Sequence, residues 1–225
     1  MNQADLASRI DHTILKPEAA AAAIDQLCSE AGRYGFMAVC VNPIWVARCA
    51  KNLAGTNVRV ASVIGFPLGA NRTDTKVDET LRAIDDGAVE IDMVLRVGDL
   101  IAGNLDVVRD DIATVASAVH RASAEHELKV ILETAALNRD QVLDACRCCI
   151  EAKADFVKTS TGFHSAGGAT VEAVRQLFRH ASPLRVKASG GIRSWTVARA
   201  MIEAGASRIG TSSGPMIMDE FMKSA

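Results

Sequence analysis

Ala88-Val89-Glu90-Ile91-Asp92-Met93-Val94 is an apolar run of strand length that carries two carboxylates two residues apart. Glu90 and Asp92 share one parity while Val89, Ile91 and Met93 share the other, so an extended chain puts both carboxylates on one face. Strands covered by helices on both sides read as nearly continuous apolar runs, and charges inside one therefore need a reason.

Seven further short apolar runs flank this one, at 10–14, 37–41, 58–64, 128–133, 154–159, 184–188 and 207–211. Each is followed by a longer stretch with helical periodicity, the pattern of repeated βα units. Helix signals punctuate the intervals: Pro17-Glu18 at one start, Asn138 ahead of Arg139-Asp140-Gln141, Ser194 ahead of Trp195, and Gly32, Gly87 and Gly205 near helix ends. Eight parallel strands with local crossovers predict an α/β fold of the (β/α)8 TIM-barrel type. An open, doubly wound sheet is the second arrangement, and it needs a reversal of strand order. No linker or low-complexity segment breaks the pattern, so residues 1–225 are expected to form a single catalytic domain.

Hydrophobic residues make up 49% of the chain and aromatics only 4%, which predicts a core of Ala, Val, Ile and Leu. A formal charge of -2 offers no basic face for nucleic acid or an anionic membrane. The opening MNQADLASRIDHTILKP has acidic residues and no long apolar run, so a cytoplasmic protein is expected.

The alternation of the 88–94 run recurs. Arg185 and Lys187 alternate with Leu184 and Val186, Lys129 and Glu133 with Val130 and Leu132, and Lys158 lies in Phe156-Val157-Lys158-Thr159. If the apolar parity packs under the helices, the charged parity points into the barrel, where a lysine is almost never buried without a partner or a task. Glu90, Lys129 and Arg185 come early in their strands and are expected to form a self-neutralising ion network. Asp92, Glu133, Lys158 and Lys187 come late, at the end where barrel active sites are built.

Two lysines and a carboxylate in a water-poor cavity have a definite chemistry. Burial and a neighbouring like charge both lower a lysine pKa, freeing an amine that attacks a carbonyl to give an imine. The protonated imine draws electrons from the adjacent carbon, so a carbon–carbon bond is made or broken without a metal, and the carboxylate and second lysine move protons. The residues alone do not say which lysine attacks.

Gly190-Gly191-Ile192-Arg193 follows the seventh run and Gly210-Thr211-Ser212-Ser213-Gly214 the eighth, each leading into a helix. Loops after strands seven and eight of a barrel commonly hold phosphate, because glycine admits backbone N–H groups to the oxygens and a helix N-terminus favours negative charge. Thr159-Ser160-Thr161-Gly162 adds hydroxyls beside Lys158, which suits a phosphorylated sugar.

Metal and other nucleophile chemistries find less support. Histidines at 12, 120, 126, 164 and 180 show no paired ligand spacing and are expected at the surface or at helix ends. No G-x-S-x-G elbow is present. Cys146, Cys148 and Cys149 lie in a helical stretch without a second pair at zinc spacing and are expected to be free thiols, and Cys40 a small core or pocket residue. No metal and no cofactor are expected.

Taken in order, Ile10-Asp11-His12-Thr13, Glu90-Ile91-Asp92-Met93-Val94, Phe156-Val157-Lys158-Thr159-Ser160-Thr161-Gly162-Phe163, Val186-Lys187-Ala188-Ser189-Gly190-Gly191-Ile192-Arg193 and Gly210-Thr211-Ser212-Ser213-Gly214 resemble the deoxyribose-phosphate aldolase family. The resemblance runs from about residue 10 to 214. It implies a class I lyase that reversibly cleaves 2-deoxy-D-ribose 5-phosphate to glyceraldehyde 3-phosphate and acetaldehyde, in deoxynucleoside breakdown. By resemblance Lys158 is the Schiff-base residue, Lys187 the lysine that perturbs it, and Asp92 the carboxylate of the proton relay. Gly162, Gly190, Gly191, Ser212 and Ser213 match positions around the phosphate.

The chain departs from family patterns at two points. Some members end in a tail with a tyrosine that assists protonation, whereas the only tyrosine here is Tyr34; Phe163 stands where some relatives place a lysine. Two other readings stay open: a Schiff-base or transaldolase-like barrel acting on another phosphorylated sugar, and a phosphate-binding barrel that only binds or isomerises its ligand. A homodimer or higher homo-oligomer is the expected assembly.

Overall fold

The computed structural model describes residues 1–224. Eight strands, β1 (Ile10–Ile14), β2 (Ala38–Val41), β3 (Arg59–Ile64), β4 (Glu90–Val94), β5 (Glu127–Ile131), β6 (Phe156–Lys158), β7 (Arg185–Ser189) and β8 (Arg208–Thr211), pair in parallel and in chain order. β8 pairs back onto β1, with Asp11 beside Gly210, so the sheet is a closed barrel with no reversal of order. The expected (β/α)8 architecture is therefore the observed one, and the open sheet is not.

Helices α1 (Gln3–Ala7), α2 (Ala21–Tyr34), α3 (Val46–Asn52), α4 (Thr73–Asp85) and α5 (Val97–Ile101) belong to the first half of the chain. They are followed by α6 (Leu105–Ala122), α7 (Arg139–Glu151), α8 (Val171–His180), α9 (Trp195–Glu203) and α10 (Gly214–Ser224). Their inner stripes bury against the outward strand parity. In α6, Val108, Ile112, Val115 and Val119 recur at helical spacing and are buried, in the same apolar cluster as Ile91 and Met93 of β4 and Leu128 and Val130 of β5.

The expected helix starts at Asn138 and Ser194 are present. Asn138 and Gln141 form a reciprocal capping box, and the Ser194 side chain accepts from the Val197 N–H. One signal misled. Pro17-Glu18 falls in a turn ahead of α2, which begins at Ala21; Gly32 is near the end of that helix as expected, although the left-handed terminus itself is Gly35 at φ +67°.

The barrel interior is divided. Cys40, Ala61 and Val63 of β2 and β3 pack with Leu15 into a small apolar cluster, while β4 through β8 and Asp11 of β1 fill the opposite side with charge. The expected inward pointing of Glu90, Asp92, Lys129, Lys158 and Lys187 holds. Arg185 is different: its side chain is 49% exposed at the lower rim, paired to Glu127 and stacked 3.9 Å from the Phe156 ring centroid. It is the first residue of β7 and ends in solvent rather than in the interior.

Candidate active site

β6 is short, and its register sets Lys158 directly beside Lys187 of β7 and Ile131 of β5. Asp92 of β4 sits beside Lys129 of β5. Inward parity brings these groups together beneath the carboxyl ends of the strands. Lys158 Nζ and Lys187 Nζ each donate to Asp92 Oδ2 at 2.7 Å, and Lys129 Nζ donates to Asp92 Oδ1 at 2.8 Å. Asp92 is thus bonded by three lysine side chains.

Further contacts extend the cluster below. Lys129 also meets Glu90 at 2.7 Å. Arg208 of β8 donates to Glu90 Oε2 at 2.8 Å and pairs with Asp11, and Lys187 pairs with Asp11 as well. All of these side chains are at least nine-tenths buried. Gly210 makes one contact possible: a Cβ there would lie 3.2 Å from Lys187 Cε, so its absence leaves the lysine stem a path across β8.

Burial favours neutral forms, yet the pairing overrides it at most positions. Desolvation alone would raise Asp92, but Lys129, Lys158 and Lys187 hold it well below the usual carboxylate range. Glu90 is likewise lowered, with Lys129 and Arg208 outweighing burial. Lys187 is held charged, as a lysine that perturbs its neighbour must be: burial pushes it down, but Asp11 and Asp92 together raise it and keep it an ammonium. Burial pushes the Cys40 thiol up, with Asp92 adding to the effect, so the thiol stays neutral.

Above the cluster opens a cavity of 840 Å³, within the range of small-molecule sites. Lys158 reaches it, and Gly162, Gly190, Gly191 and Ser212 line it. Asp92 and Lys187 lie under its floor, and Ser213 is behind the wall, where its N–H donates to Thr211 Oγ1 at 2.9 Å. Thr211 Oγ1 in turn donates to the Ile192 carbonyl at 2.7 Å, tying the β7 and β8 loops together just ahead of α10. That helix N-terminus and the glycine loops make this end of the cavity suited to an anion.

The loop after β6 folds onto the loop after β7. Ala169 N–H donates to the Gly190 carbonyl at 3.0 Å, and a Cβ on Gly168 would stand 2.3 Å from that carbonyl oxygen. Ser189 Oγ donates to the Ser160 carbonyl at 2.6 Å, holding the strand ends in line. Phe163 is half exposed at the mouth, edge-on to Phe66 at 5.2 Å between centroids, and brings no charge.

Glu133 does not join the lysines. It follows the end of β5 with φ +58°, and its carboxylate turns to the Thr161 hydroxyl and N–H, bracing the loop after β6. Nor does His12 match its expected surface role. It is 3% exposed on the outward parity of β1, with Nε2 2.7 Å from Glu30 and its ring edge-on to Phe36. Tyr34 donates to Asp219 at 3.2 Å and does not line the cavity.

Asp11 and Arg208 were missed as site residues, and Gly210, read as part of the phosphate loop, also makes room for Lys187. The parity argument applied to β4 also finds Asp11 amid Ile10 and His12, and Arg208 amid Ser207 and Ile209. Among the described residues, no group of three His, Cys, Asp or Glu side chains is placed to hold a metal ion, and no helix is long and apolar enough to cross a membrane. The six cysteines are free and buried, Cys146, Cys148 and Cys149 on the inner side of α7.

The profile of the DeoC/LacD family aldolase matches residues 6–219. The chain is 55% identical over 210 residues to the deoxyribose-phosphate aldolase of Brevibacillus brevis, covering 93% of each protein. To that of Geobacillus sp. it is 51% identical over 216 residues, covering 96% of this chain and 95% of the relative. Among solved structures, the tetrameric deoxyribose phosphate aldolase of Aeropyrum pernix superposes with a TM-score of 0.91 at 32% identity, over 100% of this chain and 94% of that one.

Proposed function

The chain belongs to the DeoC/LacD family of aldolases, and from that membership we propose that it cleaves 2-deoxy-D-ribose 5-phosphate reversibly through an imine on Lys158. It is an aldehyde-lyase of class I. The observation that carries the assignment of the nucleophile is access: among the described residues, Lys158 is the one lysine that both bonds Asp92 and lines the cavity.

The neutral Lys158 amine adds to the C1 aldehyde of the open-chain sugar, and loss of water leaves an iminium. Removal of the C3 hydroxyl proton breaks the C2–C3 bond. Its electron pair enters the iminium as an enamine, and glyceraldehyde 3-phosphate departs. Protonation of the enamine carbon and hydrolysis by water then release acetaldehyde and regenerate the amine. Asp92 and Lys187, joined at one oxygen, are the groups proposed to pass these protons. Gly162, Gly190, Gly191 and Ser212 are proposed to hold the phosphate, with Ser213 supporting the loop.

The same reading extends to context. The chain works as one domain in the cytoplasm, in deoxynucleoside breakdown, and it self-associates as its tetrameric relative does. Its partner is a small phosphorylated sugar with acetaldehyde, and no nucleic acid or membrane is involved. The test is borohydride reduction during turnover of deoxyribose 5-phosphate, followed by peptide mass analysis. An ethyl adduct, from the reduced acetaldehyde imine, is expected on the peptide holding Lys158. Full activity with that peptide unmodified refutes the mechanism.

A further inference from the structure

The buried charges beneath the cavity close on themselves. Arg208 bridges Asp11 and Glu90, Lys129 bridges Glu90 and Asp92, and Lys187 bridges Asp92 and Asp11. Three carboxylates alternate with three cations around this cycle, so it is neutral without help. Lys158 is a seventh member, bonded to Asp92 alone among the carboxylates.

Lys16, Glu18 and Arg193 line the cavity that Lys158 reaches but are exposed, where solvent screens them, and the other groups that face the cycle do not change the sum. Cys40 of β2 is a neutral thiol, and β3 contributes Ala61 and Val63. Arg59, at the foot of β3, meets Glu90 at 3.2 Å but shares itself with Glu127 and is 39% exposed, where solvent screens it. Arg185 lies beyond Glu127, and Glu133 is turned to Thr161.

With every amine protonated, the buried cluster has four cations against three carboxylates. An uncompensated charge in such an interior is costly, and it disappears when one cation gives up its proton. Arginine does not do so. Lys129 and Lys187 would each leave two carboxylates underpaired, whereas Lys158 leaves Asp92 with both of its other partners. We propose that Arg208 is a positioning residue for the aldol reaction: by closing the cycle it makes Lys158 the surplus cation and so sets the pH at which its amine is free.

This inference rests on the Schiff-base reading above, and its test separates the two. Borohydride trapping with acetaldehyde is followed on the Lys158 peptide across pH in the wild type, Arg208→Met, Glu90→Gln and the double variant. Removing Arg208 makes a protonated Lys158 the balancing charge, so the trapping midpoint moves up by about one pH unit, a roughly tenfold loss below it. Removing the Glu90 charge adds a second surplus cation, and the midpoint moves down. The double variant, neutral again as a four-membered set, returns close to the wild type.

A merely structural role for Arg208 predicts otherwise. Both single variants then trap less at every pH, with an unmoved midpoint, and the double variant is worse than either; that result overturns the inference. If Arg208→Met fails to fold, Glu90→Gln alone decides, since it is close to isosteric and an unmoved midpoint there refutes the charge balance. A wild type that traps nothing on Lys158 removes the Schiff-base reading and the inference together.

Discussion

Lys158 and Lys187 donate to the same oxygen, Oδ2 of Asp92, each at 2.7 Å. They are neighbours in register across β6 and β7, yet only Lys158 lines the cavity. One amine is therefore presented to substrate and the other is held behind it.

Lys158→Arg is expected to abolish turnover. A guanidinium keeps the contact with Asp92 but stays charged and forms no imine. Retained substrate binding with no borohydride-trapped peptide is the expected pattern, and measurable cleavage by this variant contradicts it.

Lys187→Leu is expected to lower kcat by about 10²–10⁴-fold, the usual scale for loss of a proton-transfer group. It also removes a bridging cation from Asp11 and Asp92, so the Lys158 ammonium becomes a needed counter-charge and the rising limb of the pH–rate profile moves to higher pH. The stability cost is on the order of 3 kcal/mol, read from urea unfolding. An unshifted pH profile argues against electrostatic coupling of the two lysines.

Gly190→Ala and Gly191→Ala separate strain from collision. Both glycines have positive φ, +93° and +83°, so either alanine costs about 1–3 kcal/mol of backbone strain. At Gly190 a Cβ also meets the Gly168 Cα at 3.0 Å, whereas at Gly191 nothing lies within 4 Å. The KM for the phosphorylated sugar is expected to rise more in Gly190→Ala, and equal KM values contradict the proposed seating of the loop.

Phe163→Lys places a cation at the cavity mouth where a half-exposed ring now stands. In that partly solvated position the gain in phosphate affinity is about 0.5–1 kcal/mol, a two- to fivefold drop in KM that fades at high salt. Unphosphorylated acceptors should show no such gain, and KM is measured for both at low and high ionic strength.

The contribution of Asp92, Glu90, Lys129 and Lys187 to stability is expected to be flat from about pH 5 to about pH 9. Asp92 and Glu90 are lowered on folding, so their contribution is complete above their unfolded values of about 3.9 and 4.3 and is lost as pH falls through the lower folded values. Lys187 and Lys129 are raised on folding, with their carboxylate partners outweighing burial. Their contribution is therefore complete below about pH 10.4 and is lost as pH rises through the folded values. Urea midpoints across this range test the plateau, and a fall between about pH 6 and 8 would show that other groups dominate.

Particular residues show how far local pattern reaches. The parity of Glu90 and Asp92 placed both carboxylates in the interior, and the same alternation placed Lys129, Lys158 and Lys187. It failed at Arg185, the first residue of β7, because parity gives the side of a strand and not the depth along the barrel axis. Glu133 failed for a related reason: β5 ends at Ile131, and beyond it a left-handed residue redirects the chain.

The sequence by itself determined the eight βα units, the inward charged face, the glycine and hydroxyl loops at the carboxyl ends of β6, β7 and β8, and the family resemblance that names Lys158. These depend on strand and helix periods that are local to each segment. Tertiary structure alone decided that Asp11 and Arg208, 197 residues apart, meet where β8 closes onto β1. It also decided that Lys187 is held charged rather than freed. Both outcomes depend on which charges from different strands reach the same depth in a closed barrel, and a one-dimensional pattern does not carry that stagger.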